Sequence, residues 1–282
     1  MPESPEVQAL VDFLSDRIPD RTVTGFDVVL GKALKTRHPE PSDLIGCRVV
    51  AVARFGKLID VVAETLEGGA VHLIVHWGHD GWLLWHDAAP DGLKRAGDAT
   101  LMARLRFDDG SGFDLTDSGQ WKALSIFLVS DPRDAPAIAK LGPDPLAEDV
   151  SVAALAGVLG GRRKQLKALL QDQTALAGIG NAYSDEILHA AKLSPVVHAA
   201  VLTPAEIERL HSAIEGILQH AVAARRGLPP ESLKDEKRGD MQVHRRPGEP
   251  CPVCGGTIAE FTFSGAAAHY CPTCQTAGVL LS

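Results

Sequence analysis

The spacing of apolar residues changes character twice along this chain. Near the start, Val7, Leu10, Val11 and Leu14 fall at i, i+3, i+4 and i+7, the stripe of an amphipathic helix. Two Val- and Ile-rich stretches follow, Thr22–Leu30 and Arg48–Ala63, with partial alternation of apolar and polar positions. The second is broken by Gly56-Lys57, which predicts a hairpin of Arg48–Ala53 and Leu58–Ala63 with Phe55-Gly56-Lys57 at or near its turn and Lys57 projecting from the tip. Further short runs, Ala70–Val75, Gly81–His86, Leu101–Phe107 and Gly112–Thr116, are separated by Gly, Asp and Pro clusters, the spacing of a β-sandwich or barrel. From Asp131 to Glu148 the chain is rich in Pro, Asp and Ala and reads as a linker. Beyond it the period becomes helical over Val152–Leu159, Lys164–Gln171, Ala182–Ala191 and Pro204–Arg225. The pattern predicts an α+β protein: a β domain over 1–130, a linker over 131–148, a helical domain over 149–228 and a cysteine-bearing module over 229–282.

A chain of 282 residues can hold two domains with cores of their own. It contains no apolar run of about 18 residues and no basic-then-apolar leader, so it is expected in the cytoplasm and off the membrane. The net charge of −8 argues against a generally cationic surface but leaves room for a local basic groove, because phosphate binding depends on where the charges sit. Four of the five cysteines form Cys251-Pro-Val-Cys254 and Cys271-Pro-Thr-Cys274, the spacing of a zinc ribbon with one structural zinc ion. Two disulfides or a redox pair would use the same residues, at odds with a leaderless cytosolic chain. Cys47 reads as a small buried hydrophobe.

Three other stretches carry chemistry. Removal of Met1, which a small second residue permits, would make Pro2 a free secondary amine beside Glu3. A chain-terminal amine has a pKa of about 7.7–8 and is partly neutral at physiological pH, as a nucleophile must be. Ser4 is the expected N-cap and Pro5 the expected first residue of the helix, whose positive end would lower the amine pKa further. The alternative is a frayed terminus without function. In the helical part, Gly178 and Gly180 allow a tight turn, and Asn181 is placed to cap a helix with Tyr183, Ile187 and Ala190 on its apolar face, a phosphate-binding arrangement. Upstream, Arg162, Arg163, Lys164 and Lys167 form a cationic strip, which standing alone would equally be a solvated helix face.

Taken in order, Pro2-Glu3-x-Pro5-Glu6, Gly56-Lys57, Leu141-Gly-Pro-Asp-Pro-Leu146, Gly178-x-Gly-Asn181 with Glu186 following, and the closing pair of CxxC motifs resemble the formamidopyrimidine-DNA glycosylase/endonuclease VIII family over the whole chain. The resemblance implies an N-terminal β-sandwich with flanking helices, and a helical domain with a helix–two-turn–helix motif and a zinc-finger hairpin, with DNA in the cleft between them. It also implies a DNA-repair enzyme that flips a damaged, expectedly oxidised, base out of the duplex, excises it and cleaves the abasic site by β-elimination. By that resemblance Pro2 is the nucleophile, Glu3 the acid and proton shuttle, and Lys57 a ligand of the lesion's phosphate; Arg163, Lys167 and Asn181 fall at or near DNA-contacting positions. The expected partner is double-stranded DNA with a damaged base or an abasic site, met by a monomer in the cytoplasm at the nucleoid.

The chain departs from the family pattern where the flipped base leaves its hole. His79 stands where a Met is usual, and Asp117-Ser-Gly-Gln-Trp-Lys122 replaces the usual Asp-Pro-Arg-Arg-Phe-Gly. Trp121 is the expected wedge, with Gln120 or His79 on the orphaned base, unless Trp121 belongs to the sandwich core. An Arg expected five residues before the third cysteine is Ala266, which removes one charge-assisted phosphate contact and predicts weak δ-elimination. The stretch from Gly227 to Met241 is shorter than the family's loop over 8-oxoguanine, leaving the lesion open. These departures favour a rival reading, a catalytically reduced protein that binds abasic or lesion DNA. A third, an RNA- or protein-binding zinc ribbon, explains only the last 32 residues.

Overall fold

In the computed structural model, residues 1–90, 100–147 and 150–282 are described; Glu148 and Asp149, where the linker was expected to end and the helical domain to begin, lie outside them. The chain forms two compact units, Met1–Lys140 with Arg225–Lys234, and Leu141–Ala224 with Asp235–Ser282.

The first unit carries helix α1 (Ser4–Ser15) and two antiparallel four-stranded sheets. One runs in the order β1 (Val23–Val28), β6 (Leu101–Phe107), β7 (Gly112–Asp117), β5 (Gly81–His86). The other is ordered β2 (Arg48–Phe55), β3 (Leu58–Glu64), β4 (Ala70–His76), β8 (Ser125–Val129). Their inward residues, Val61, Leu73, Leu83, Leu105 and Phe113 among them, share one core with Leu10 and Leu14 of α1. Each fully buried Leu or Phe contributes about 1.5–3 kcal/mol relative to exposure. Strand β8 escaped the sequence reading because Ser125–Val129 is a brief apolar run without strong alternation.

Helix α1 starts one residue earlier than its composition implied. Glu3 is the N-cap, its carboxylate accepting from the Glu6 N–H while the Glu6 Oε2 accepts from the Glu3 N–H at 2.9 Å. This reciprocal pair satisfies two orphan donors with charged acceptors at the positive end of the helix, which a Ser4 cap would not. Ser4 is instead the first helical residue, and its buried Oγ has no hydrogen-bond partner.

The second unit contains α2 (Val152–Leu159), α3 (Leu166–Leu170), α4 (Asn181–Ala190) and most of α5 (Pro204–Arg225), packed around Leu169, Ile187, Leu210 and Leu218. Helix α6 (Leu233–Asp240) follows, then the hairpin β9 (Ala259–Phe263) and β10 (Ala266–Tyr270), and the short α7 (Pro272–Gln275). Helix α4 is buried on most sides rather than on one stripe, and Ala190 is exposed. Asn181 is its first residue, not its cap: Gly180 holds the N-cap position with an extended backbone and no side chain to donate or accept.

Candidate active site and nucleic-acid interface

The amino terminus is held from its third residue. Met1 is 47% exposed and Pro2 beneath it is buried. Behind the Glu3–Glu6 capping pair, the Glu6 Oε1 faces the guanidinium of Arg225 at 3.3 Å, and both side chains are within 1% of complete burial. A buried carboxylate needs such a counter-charge. Arg225, the last residue of α5, thus braces the turn that carries Pro2 and Glu3, a role no local sequence signal announces.

Lys57 also differs from expectation. Gly56 takes a φ of 56°, open to glycine at little cost, and Phe55 pairs with Leu58 across a two-residue turn. Lys57 does not project into solvent: it is 7% exposed. Arg54 donates to the Gly56 carbonyl at 3.0 Å and to the Gln8 Oε1 at 2.9 Å, which locks the hairpin tip to α1. Burial, then the charges of Lys57 and His79, hold the His76 imidazole below its ordinary pKa, so a neutral ring accompanies the Lys57 ammonium.

His79, Gln120 and Trp121 are brought together on adjoining loops, all exposed, Trp121 to 84%. Trp121 is therefore not sandwich core. Gly78, at a φ of 60°, lies so near Ala123 that an added Cβ would approach its carbonyl carbon to 2.6 Å. The second loop is organised by Asp117, whose carboxylate accepts from the N–H groups of Gly119, Ala123 and Leu124 at 2.7–2.9 Å. Burial works against its charge, but those N–H groups prevail and hold its pKa below the ordinary value. Asp117 thus fixes a loop that presents a large apolar ring to water.

In the second unit the expected cationic strip divides. Arg162 and Arg163 are exposed; Lys164 is exposed and paired with Asp172 at 2.8 Å. Lys167 is no surface cation. It is fully buried, with its Nζ 2.5 Å from the Asp185 Oδ1 and 2.8 Å from the Ser184 Oγ. Helical spacing put it on the strip, but an acid 18 residues ahead captures it inside. The Asp185 Oδ2 is met by His244 at 2.7 Å and His269 at 3.3 Å. Burial opposes that charge, while the two imidazoles and Lys167 outweigh it and leave the Asp185 pKa lowered. Asp185, His244 and His269 lie close enough for a metal, yet an ammonium already occupies the carboxylate, which disfavours a second cation.

Asn181 stands at the edge of this network. Its Nδ2 donates to the Ala267 carbonyl of the hairpin at 2.9 Å, and its Oδ1 accepts from Gln171 at 3.2 Å. Gln173 shapes the turn before it, accepting from the Gly178 N–H and donating to the Ile179 carbonyl. Glu186 accepts from the N–H groups of Gln242, Val243 and His244, anchoring the segment that enters the cysteine module.

The four thiols of Cys251, Cys254, Cys271 and Cys274 lie within 4.8 Å of one another. Cys251 and Cys274 are 3.9 Å apart, and Cys254 and Cys271 3.4 Å. Both distances are too long for a disulfide, near 2.05 Å, and close to the edge of about 3.8 Å that a tetrahedral zinc with Zn–S of about 2.3 Å requires. A hydrogen bond from the Gly256 N–H is the leading cause that lowers the Cys254 thiol to about 7, favouring the thiolate a metal needs. The cluster holds one structural zinc.

Comparison with known proteins meets the same three regions. Residues 1–122 match the formamidopyrimidine-DNA glycosylase N-terminal domain, 141–229 the H2TH domain of that enzyme, and 248–277 the zinc finger found in FPG and IleRS. A formamidopyrimidine-DNA glycosylase of Symbiobacterium thermophilum is 33% identical over 294 residues, covering 100% of this chain and 92% of the relative. An uncharacterized formamidopyrimidine-DNA glycosylase-like protein of Mycobacterium tuberculosis is 49% identical over 142 residues, 50% of this chain and 89% of its own. The Lactococcus lactis formamidopyrimidine-DNA glycosylase bound to abasic-site DNA superposes with a TM-score of 0.83 at 27% identity, over 97% of this chain and 99% of that one. The chain belongs to the formamidopyrimidine-DNA glycosylase/endonuclease VIII family.

Proposed function

We propose that this protein is a bifunctional DNA glycosylase and abasic-site lyase that works through the amine of Pro2. The observation that carries the reading is the bracing of Pro2-Glu3 by Glu6 and the buried Arg225, an investment of two buried charges in a chain terminus. Once Met1 is removed, the neutral Pro2 nitrogen attacks C1′ of the damaged nucleotide, the N-glycosidic bond breaks, and the base leaves with a proton. Glu3 supplies a proton to the opening sugar oxygen. The resulting iminium acidifies C2′; loss of that proton expels the 3′ phosphate oxygen, and water hydrolyses the remaining imine. Lys57, at the hairpin tip beside His76, holds the lesion's phosphate. Pro2, Glu3 and Lys57 are the residues assigned to chemistry.

DNA contacts are assigned to Arg163 and Asn181 in the second unit, and to Trp121 as wedge with His79 and Gln120 beside it in the first. Lys167, buried against Asp185, supports Asn181 rather than touching DNA. The substrate is double-stranded DNA with a damaged, oxidised base or an abasic site, bound by a monomer at the nucleoid in the cytoplasm. The described residues contain no helix long and apolar enough to cross a membrane.

One observation favours the rival, a reader of abasic or lesion DNA with reduced catalysis. Ala266 opens β10 at the exposed end of the hairpin and offers no charge to a phosphate. Incubation with duplexes carrying an abasic site, 8-oxoguanine, a formamidopyrimidine or an oxidised pyrimidine tests both readings. The enzyme leaves a β-eliminated end with little δ-product on at least one of them; intact strands on all four, with lesion-selective binding retained, would favour the reader.

A further inference from the structure

His189 is a buried polar group that neither the proposed chemistry nor the DNA contacts use. It lies in the last turn of α4, is 5% exposed, and points its Nε2 at the Sγ of Cys251 at 3.2 Å. The two residues are 62 positions apart, so the contact joins separate parts of the unit. A zinc-bound thiolate carries no proton and can only accept; the imidazole must therefore donate, with its hydrogen on Nε2. An apolar side chain would fill this space if packing were the sole requirement, since a buried imidazole without a partner is costly.

We propose that His189 is the outer partner of the zinc site: its N–H bond to the Cys251 thiolate retains the metal and secures the zinc module to the helix that begins with Asn181. The bond withdraws charge from the sulfur and shields it from protonation and electrophiles. The same helix ends near a second tie, in which the Gln275 amide donates to the Leu193 carbonyl at 2.9 Å while its oxygen accepts from the Cys271 N–H at 2.8 Å. Two of the four zinc ligands are thus bonded, through His189 and through Gln275, to one helix and the turn that follows it. At the other end of α4, Asn181 donates to the hairpin carbonyl of Ala267. Loss of the His189 bond would release the metal sooner and loosen a helix tied to the zinc module at both ends.

The experiment compares full-length zinc-loaded wild type with His189→Phe, which keeps the ring and removes the donor, and His189→Gln, which keeps an N–H. Zinc transfer to a chromophoric chelator is followed over time, and the cobalt-substituted proteins are examined by absorption spectroscopy. Outer partners of metal ligands typically influence metal affinity about 10–100-fold. Zinc release at least tenfold faster in His189→Phe, partly restored in His189→Gln, with the same four-thiolate cobalt spectrum in all three, is the expected result. Equal release from wild type and His189→Phe would overturn the proposal. So would a cobalt spectrum that changes in the variants, because His189 would then be a ligand itself. If His189→Phe does not fold, His189→Leu, which also lacks the donor, takes its place with the same two readouts.

Discussion

The amino terminus and the hairpin region both organise functional residues around a buried carboxylate, but they recruit its partners differently. At the amino terminus, Glu6 is tied to Glu3 three residues away, and one distant cation, Arg225, completes the arrangement. Around the hairpin, Asp185 gathers Lys167, His244 and His269 from 18, 59 and 84 residues away. The first is a local helix cap, formed as soon as α1 forms, to which the end of α5 adds one buried brace. The second exists only when helix, connecting segment and zinc module are all folded, so it depends on the metal as the first does not.

Zinc removal separates the two most sharply. Structural zinc in small domains contributes on the order of 10 kcal/mol or more to folding. Chelation at neutral pH should abolish amide protection across 248–277 and weaken lesion-DNA binding, while protection in α1 and the sandwich strands persists, as read by hydrogen-exchange mass spectrometry. Equal loss everywhere would dissolve the distinction. Next in size is the brace. Glu6→Ala leaves Arg225 buried without its carboxylate, for which about 3–5 kcal/mol of destabilisation in urea unfolding is expected. The double variant Glu6→Ala, Arg225→Met should recover part of that loss. Lys167→Met comes third, at about 2–3 kcal/mol, below the usual range for a broken buried pair because His244 and His269 still donate to Asp185. A loss as large as that of Glu6→Ala would mean that the two imidazoles contribute little.

The smallest effect depends on pH. His76 has its pKa lowered by burial, so the folded protein resists protonation that the unfolded chain accepts. Its contribution is present at and above the unfolded value of about 6.5 and is lost as pH falls from there through the lower folded value. The thermal unfolding temperature should therefore fall as pH is lowered through this range in wild type and fall less in His76→Gln; identical slopes would show that His76 contributes nothing.

The same contrast explains what the sequence made legible. Strands β5 and β6 and helices α2 and α5 coincide with the residue ranges their periodicity predicted, because period and punctuation are local. The turn at Gly56-Lys57 and the four-cysteine cluster were readable for the same reason. Lys57 and Lys167 were placed in the wrong surroundings, both drawn as projecting cations and both buried, because the acceptors and packing that hold a charge inside come from remote segments. Ser4 lost the N-cap to Glu3 because Glu6, three residues on, completes a reciprocal capping box, whereas Val7 could not reciprocate a Ser4 cap. Arg225 and His189 carried no signal at all, and nothing local marked Asp117 as the residue that organises its loop. Their roles rest on a loop's backbone N–H groups, on a carboxylate 219 residues away, and on a thiol 62 residues away.

The most direct test of the central claim, that the braced Pro2 amine is the nucleophile, is borohydride trapping on abasic-site duplex with three proteins: the processed wild type, Pro2→Gly, and a form that keeps Met1. The account predicts a covalent adduct with the processed protein, a weaker one with Pro2→Gly, whose primary amine still forms an imine, and none when Met1 blocks the nitrogen although DNA binding is unchanged. An adduct of undiminished yield from the Met1-bearing form would place the nucleophile elsewhere and contradict it.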